Sequence, residues 1–112
     1  MESDQLYPKA TKEMSAKRAA LAPEIADAFH NFSKAVFKEG ALPEKTKQLI
    51  AVAVAHVTQC PYCIRGHTAM AIKKGASKEE IMEAIWVASE MRAGAAYAHA
   101  ALAIDEMDKT GP

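Results

Sequence analysis

Residues that favour helix starts and helix ends divide this sequence into successive helical segments. No segment shows the alternation of apolar and polar residues that marks a half-buried strand. A weak first helix is predicted over residues 11–21. Pro23 suits the first turn of a second helix, which runs to about Lys38 and ends where Gly40 can adopt a left-handed conformation. Pro43 starts a third helix. The pattern predicts an all-α protein.

Two more helices complete the predicted fold. The fourth contains both cysteines and ends at Gly75, after basic residues that suit a helix C-terminus. The fifth begins at a capping box formed by Ser77 and Glu80 and runs to about Lys109, with Gly94 as a place where it could bend or break. We therefore expect a helical bundle of about five to six helices.

The length and the charge balance restrict the organisation and the partners of the chain. A chain of 112 residues is expected to form one domain over residues 1–112, and an oligomer would help so short a chain to bury its apolar surface. Lys+Arg and Asp+Glu number 14 each, so the formal net charge is zero. The basic residues are also scattered, and we therefore expect no nucleic-acid partner.

The expected location follows from what the sequence lacks. No apolar run approaches the ~18 residues of a membrane-spanning helix, and the polar N-terminal residues lack the apolar core of a secretory signal. We therefore expect a cytoplasmic protein without a membrane partner. A structural disulfide would be unusual in that reducing compartment. Two cysteines three positions apart point instead to redox chemistry or to a metal.

Apolar patterns predict which helical faces are buried. Residues 49–57 are apolar except at His56, so this part of the third helix is expected to be buried all round, with His56 as a satisfied core residue. His30 and His99 have no acid or thiol partner in local register and are interpreted as structural. The Ala-rich residues 93–103 predict close contact with another helix or subunit. The apolar stripes of the second and last helices are predicted to include Ile25, Phe29, Phe32, Val36, Phe37, Met82, Trp86 and Met91.

Residues 60–67, with the sequence Cys-Pro-Tyr-Cys-Ile-Arg-Gly-His, form the motif that carries chemistry. On a helical wheel Cys60 and Cys63 lie ~60° apart, and Cys63 and His67 lie ~40° apart, so the three share one face. Pro61 disfavours a helical conformation at Cys60 and is itself favoured at the first helical position, which predicts Cys60 at the N-cap. Both thiols then lie where backbone N–H groups and the helix dipole stabilise an anion.

This arrangement is typical of a redox-active dithiol. The thiolate is the reactive form of cysteine, and helix N-termini and nearby histidines favour it. His67 can accept the thiol proton or pair with the thiolate. The spacing also allows Cys60 and Cys63 to form a disulfide, as when one cysteine is oxidised to a sulfenic acid and the other condenses with it. Tyr62 between them is equally compatible with lining a thiol pocket and with ordinary packing.

The same residues allow two other interpretations. The cysteines could pack in a core, because free cysteine is among the most buried residue types. An H-x3-C-x2-C-x3-H pattern of four zinc ligands is also present, formed by His56, Cys60, Cys63 and His67. Such ligands would need one continuous helix, and Pro61 favours a break before the fourth helix. We therefore predict no metal.

With these motifs the sequence resembles the carboxymuconolactone decarboxylase and AhpD-like alkylhydroperoxidase superfamily over about residues 21–105. The resemblance is carried by Leu-Pro-Glu-Lys-Thr-Lys at 42–47, by CxxC-x3-His, by Gly-Ala-Ser-Lys-Glu-Glu-Ile at 75–81, and by Gly94 in its Ala-rich helix. It implies an all-α fold, assembly into trimers or hexamers, and peroxidase or disulfide-reductase activity toward hydroperoxides.

The resemblance also implies roles for single residues. The peroxidatic cysteine, its partner and the relay histidine would be Cys63, Cys60 and His67. The superfamily's relay usually includes a glutamate twelve residues before the first cysteine, and this chain has Gln48 there. Glutamine cannot accept a proton, so Glu44 or His56 would have to take that role.

The sequence therefore favours a thiol-dependent peroxidase that needs no cofactor and is reduced by a partner thiol protein. A general dithiol–disulfide oxidoreductase without efficient peroxidase activity is the nearest alternative. Decarboxylase-like chemistry on a ring lactone is another, although that branch of the superfamily does not rely on a CxxC pair. A non-enzymatic helical assembly or metal-binding module is a third.

Overall fold

The computed structural model describes residues 6–111, which contain five helices and no strand. The helices are α1 (Lys12–Leu21), α2 (Pro23–Phe37), α3 (Glu44–Thr58), α4 (Pro61–Lys73) and α5 (Lys78–Thr110). The predicted all-α class is confirmed, and all five helices begin close to the predicted positions. The chain divides into two compact units, one ending at Lys38 and the other beginning at Glu39. That residues 1–112 form a single domain stays a prediction.

The first unit contains α1 and α2. Thr11 caps α1, because its hydroxyl accepts a hydrogen bond from the N–H of Met14. Pro23 lies in the first turn of α2, as its fixed φ and missing N–H favour. The apolar side chains of α2, among them Ile25, Phe29 and Phe32, are mostly exposed in the single chain.

The predicted end of α2 is confirmed, but the predicted cap is wrong. Helix α2 ends at Phe37, and Lys38 follows it in an extended conformation. Gly40 therefore does not supply a left-handed cap, and among the described glycines positive φ occurs at Gly75, which ends the turn after α4. The chain leaves α2 through an extended residue, so no left-handed residue is needed there.

In the second unit α3 packs against both α4 and α5. A cluster of buried residues joins the three elements and the α4–α5 turn, with Leu49 and Ile85 packed against it. The cluster consists of Val52, Ala71, Ala76 and Ile81. In this packing the α3 face with Gln48, Val52 and Ala55 is buried.

Two predictions about the core are wrong. The apolar residues of α3 are not buried all round, because α4 and α5 leave a face with Ile50, Val54 and Val57 exposed. The residues of α5 expected in its core stripe are exposed as well, with Trp86 at 66%. They are Met82, Trp86 and Met91. Helix α5 instead buries Ile81 and Ala88, which lie on a different face.

Helix α5 has 33 residues and is therefore ~50 Å long. Its capping box is present as predicted, since the Ser77 hydroxyl accepts from the N–H of Glu80 while the Glu80 carboxylate accepts from the N–H of Ser77. The helix continues without a break through Gly94, because the alanines around it are strong helix formers. Within residues 6–111, no helix is both long and apolar enough to cross a membrane.

Polar contacts tie the ends of the helices in the second unit. Lys45 bridges to Glu80 at 3.1 Å between α3 and α5. The backbone N–H of Ser77 and then Lys45 hold the pKa of the Glu80 carboxyl below its ordinary value. Arg92 of α5 donates to the carbonyl oxygen of Val57 at 2.7 Å, which satisfies a carbonyl in the last turn of α3.

Candidate active site

Cys60 and Cys63 form a disulfide at the N-terminus of α4. Cys60 is the N-cap with an extended backbone, and Pro61 occupies the first turn, as predicted. The N–H of Cys63 donates to Sγ of Cys60 at 3.2 Å. Both cysteines are half-buried. The N-cap conformation brings the two Cα atoms to 5.2 Å, a separation that a disulfide can span.

The turn between α3 and α4 consists of Gln59 and Cys60. Gln59 ends α3 in a left-handed conformation with φ 58°, which is uncommon outside glycine. The carbonyl oxygen of Ala55 accepts from the N–H groups of both Gln59 and Cys60. Helix α4 begins at the next residue, Pro61, so the disulfide lies directly at the corner between α3 and α4.

His67 is held from the neighbouring helix. Its Nδ1–H donates to Oε1 of Gln48 at 2.7 Å, which joins α4 to α3. Gln48 is 4% exposed and is the buried polar residue of the described part of the chain. In neutral His67 this bond places the lone pair on Nε2. The imidazole, one turn after Cys63, is therefore oriented to accept a proton at Nε2.

The structure brings together four of the predicted site residues, since Cys60, Cys63 and His67 lie on the first turns of α4 and Gln48 contacts His67. It does not bring the two proposed substitutes for Gln48 into that contact. Glu44 forms an ion pair with Lys74 at 2.6 Å. The Nδ1–H of His56 donates to the carbonyl oxygen of Val52, one turn back in its own helix, at 2.8 Å.

Tyr62 lies beside the disulfide with 42% of its surface exposed. It lies in the first turn of α4 between the two cysteines and is not a core residue. His30 and His99 are exposed on α2 and α5. The sequence interpretation kept both histidines out of the chemistry, and that interpretation stays a prediction.

The metal interpretation finds no geometric support. Across residues 6–111, no group of three or more His, Cys, Asp or Glu side chains is placed to hold a metal ion. The reason is local, because the break at Pro61 separates α3 from α4 and His56 is turned to its own backbone.

Two features of the site were not predicted. One is the hydrogen bond that makes Gln48 the acceptor for His67, which depends on the packing of α3 against α4. The other is the left-handed Gln59. A signal for the second was present, because Pro61 disfavours a helical conformation at Cys60 and so favours an end of α3 just before it.

Comparisons with known proteins identify the family. The sequence profile of the carboxymuconolactone decarboxylase family matches residues 23–106. The chain belongs to this family. Protein 4 in the cox locus of Paracoccus denitrificans is 61% identical to it over 109 residues, which cover 95% of this chain and 97% of that protein.

Solved structures agree with the family assignment. A carboxymuconolactone decarboxylase family protein from Legionella pneumophila superposes with a TM-score of 0.69 and 35% identity, covering 89% of each chain. A protein from Methanobacterium thermoautotrophicum gives a TM-score of 0.71 and 40% identity, covering 74% of this chain and 93% of its own. The predicted resemblance is confirmed. Membership of the carboxymuconolactone decarboxylase family and the disulfide of Cys60 and Cys63 are together compatible with AhpD-like activity.

Proposed function

We propose that this protein is a thiol-dependent peroxidase that reduces hydroperoxides through a dithiol–disulfide cycle of Cys60 and Cys63. One observation carries the proposal. The pair is joined in a disulfide at the first turn of α4, and an oriented histidine lies one turn further on. A helix N-terminus stabilises a thiolate, and an adjacent imidazole can take the thiol proton, which together give a nucleophilic cysteine.

The oxidative half of the cycle begins with the reduced pair. His67 accepts the thiol proton of Cys63 at Nε2, and the thiolate attacks one oxygen of the hydroperoxide. The S–O bond forms as the O–O bond breaks, and the leaving alkoxide takes a proton to become an alcohol. Cys60 then attacks the sulfenic sulfur of Cys63, hydroxide leaves and is protonated to water, and the disulfide seen in the structure is formed.

The reductive half needs two electrons, which we assign to a dithiol of a partner protein in the cytoplasm. The partner is oxidised to its own disulfide while Cys60 and Cys63 return to thiols. The sequence offers no nucleotide-binding or flavin-binding motif, and thiol exchange needs neither group.

One observation favours a second candidate, a general dithiol–disulfide oxidoreductase with slow peroxidase chemistry. The acceptor for His67 is the amide of Gln48, which orients the imidazole but cannot take a proton onward. Disulfide exchange needs no such relay, whereas the peroxidase reaction gains speed from each proton acceptor that is in place.

The deciding experiment follows the thiols of the reduced protein after mixing with cumene hydroperoxide, by rapid quench and mass spectrometry. The peroxidase predicts fast disulfide formation in the wild type, a trapped sulfenic acid on Cys63 in Cys60→Ser, and no oxidation in Cys63→Ser. A wild type that resists peroxide yet exchanges its disulfide with thioredoxin would favour the second candidate. Lactone decarboxylation that persists without both cysteines would favour the decarboxylase alternative.

We also assign the exposed apolar side chains of α3 and α5 to contact between copies of the chain, in a trimer or hexamer. Val54 is half exposed and Trp86 is more so, at 52% and 66%. Large exposed apolar side chains of this kind mark interaction surfaces when they form a patch.

A further inference from the structure

Gly66 leaves the helix surface next to Cys63 without a side chain. The two residues are three positions apart on α4, so their side-chain directions are neighbours. Helical side chains lean toward the N-terminus, and a side chain at 66 would therefore extend over the turn that holds Cys63. A Cβ added at Gly66 meets no atom within 4 Å, so the space at this position is open.

The fold does not require glycine at this position. Gly66 has an ordinary helical conformation, because positive φ among the described glycines is found at Gly75. Nothing packs against its Cα closely enough to exclude a side chain. Glycine is also a poor helix former, so its effect at position 66 is to keep the surface beside the disulfide uncovered.

The two sulfurs of the disulfide are in different environments. Sγ of Cys60 accepts the N–H of Cys63 at 3.2 Å and lies at the N-cap, where the helix dipole favours negative charge. In thiol–disulfide exchange one sulfur is attacked and the other leaves as a thiolate, and the sulfur that better stabilises the negative charge leaves faster. Cys60 is therefore the favoured leaving group.

From these two observations we infer that the reducing thiol enters over Gly66, attacks Sγ of Cys63 and expels Cys60. This inference rests on the dithiol cycle proposed above. The incoming thiolate forms a bond to Sγ of Cys63, the Cys60–Cys63 bond breaks, and its electron pair remains on Cys60. The second thiol of the reducing protein then attacks that protein's first sulfur, which is bonded to Cys63 in the mixed disulfide. This step releases Cys63 as a thiolate. The reductant ends as a disulfide, and its two protons pass to the released cysteines.

The first test identifies the attacked sulfur. The oxidised full-length protein is mixed with glutathione, quenched in acid at a series of early times, alkylated with N-ethylmaleimide and analysed by tandem mass spectrometry. Extrapolated to zero time, glutathione should be found on Cys63 and the maleimide on Cys60, in about tenfold excess over the reverse pattern. Glutathione found mainly on Cys60 would overturn the inference and leave the dithiol cycle intact. A disulfide that neither glutathione nor thioredoxin opens would overturn the proposed function itself.

The second test places a bulky side chain at position 66, beside Cys63. In Gly66→Leu, reduction by thioredoxin should slow about tenfold, whereas reduction by dithiothreitol, a far smaller dithiol, should change much less. Gly66→Ala separates the effect of size from that of helix propensity and should reduce at nearly the wild-type rate. Ala69→Leu adds the same side chain at another exposed site of α4 and should change neither rate. A folded Gly66→Leu protein that thioredoxin reduces as fast as the wild type would refute entry over Gly66.

Discussion

His67 donates its Nδ1–H to Oε1 of Gln48 at 2.7 Å, and this bond joins α4, which begins at the disulfide, to a buried position of α3. The bond fixes which imidazole nitrogen carries the lone pair in the neutral ring, since donation from Nδ1 leaves it on Nε2. Because Gln48 is 4% exposed, bulk water does not compete for this contact. The amide therefore positions His67 without sharing its charge.

Gln48→Glu should convert this contact into a charged one. A carboxylate beside the imidazole stabilises the protonated ring, so the thiolate–imidazolium pair forms at lower pH. We expect the rising limb of the peroxide-rate profile to move to lower pH and the rate at pH 7 to increase about tenfold. Stopped-flow or rapid-quench rates measured across pH check this. Gln48→Leu, which has similar size and no acceptor, should slow the reaction, and an unchanged profile in both variants would contradict a positioning role.

His67→Ala should slow the reaction of the reduced protein with cumene hydroperoxide by about 10²-fold or more, because the thiol loses its proton acceptor. Oxidation by diamide, which needs no such relay, should still close the disulfide. His56→Ala is the matched control, since its Nδ1–H is engaged by the carbonyl of Val52. Equal losses in the two histidine variants would show that the slowing is structural and not specific to His67.

The local structure of the site could be predicted from the sequence because it depends on neighbours in the chain. Pro61 alone places Cys60 at the N-cap, and Ser77 with Glu80 marks the start of α5. Predictions that depended on tertiary contacts did less well. A hydrophobic stripe shows that a face is apolar but not what covers it, and Trp86 is exposed in the single chain although its spacing suits a core.

The predicted proton relay also combines a part that depends on local sequence with a part that depends on tertiary contacts. The position of Gln48 relative to the cysteines could be read from the motif, but its hydrogen bond to His67 depends on how α3 and α4 pack. His56 and Glu44 have suitable chemistry, and their backbone and ion-pair contacts direct them elsewhere. Spacing along a helix gives no information about such partners.

Substitutions in the two turns that flank α4 should change the stability of the fold in opposite directions. Gln59 has φ 58°, a conformation that strains a residue with a Cβ, so Gln59→Gly should stabilise the fold by about 1 kcal/mol. Gly75 has φ 96°, so Gly75→Ala should destabilise it by about 1 kcal/mol or more. Urea unfolding of the oxidised protein measures both. If the two changes had the same sign, the conformations of these turns would not control stability.

Glu80 should make the stability of the protein depend on pH in the acid range. Its pKa lies below the ordinary value of 4.5, chiefly because its carboxylate accepts the N–H of Ser77 and secondly because of Lys45. A group with a lowered pKa in the folded state stabilises the fold above its unfolded pKa, and this contribution disappears as pH falls through the folded value.

Thermal unfolding of Glu80→Gln at several pH values tests this. The variant keeps an oxygen that can accept the N–H of Ser77 but has no charge for Lys45. The wild type should therefore melt higher than the variant at pH 6–7, and the difference should shrink below pH ~4.5. The difference in melting temperature between the wild type and Lys45→Met should also shrink as pH falls, but it should be smaller. This variant removes only the effect of Lys45 on the pKa of Glu80 and keeps that of the Ser77 N–H.

The exposed side chains of α3 and α5 predict self-association that charge should disrupt. In sedimentation velocity experiments the wild type should have the mass of a trimer or hexamer. Trp86→Glu places a charge on one of these exposed apolar positions, where burial against another copy would leave it unpaired, so dissociation to smaller species is expected. Glu83→Gln changes a nearby exposed residue of the same helix and should leave the assembly intact. A wild type that sediments as a monomer at all concentrations would exclude this assignment and leave the redox chemistry of Cys60 and Cys63 to a single chain.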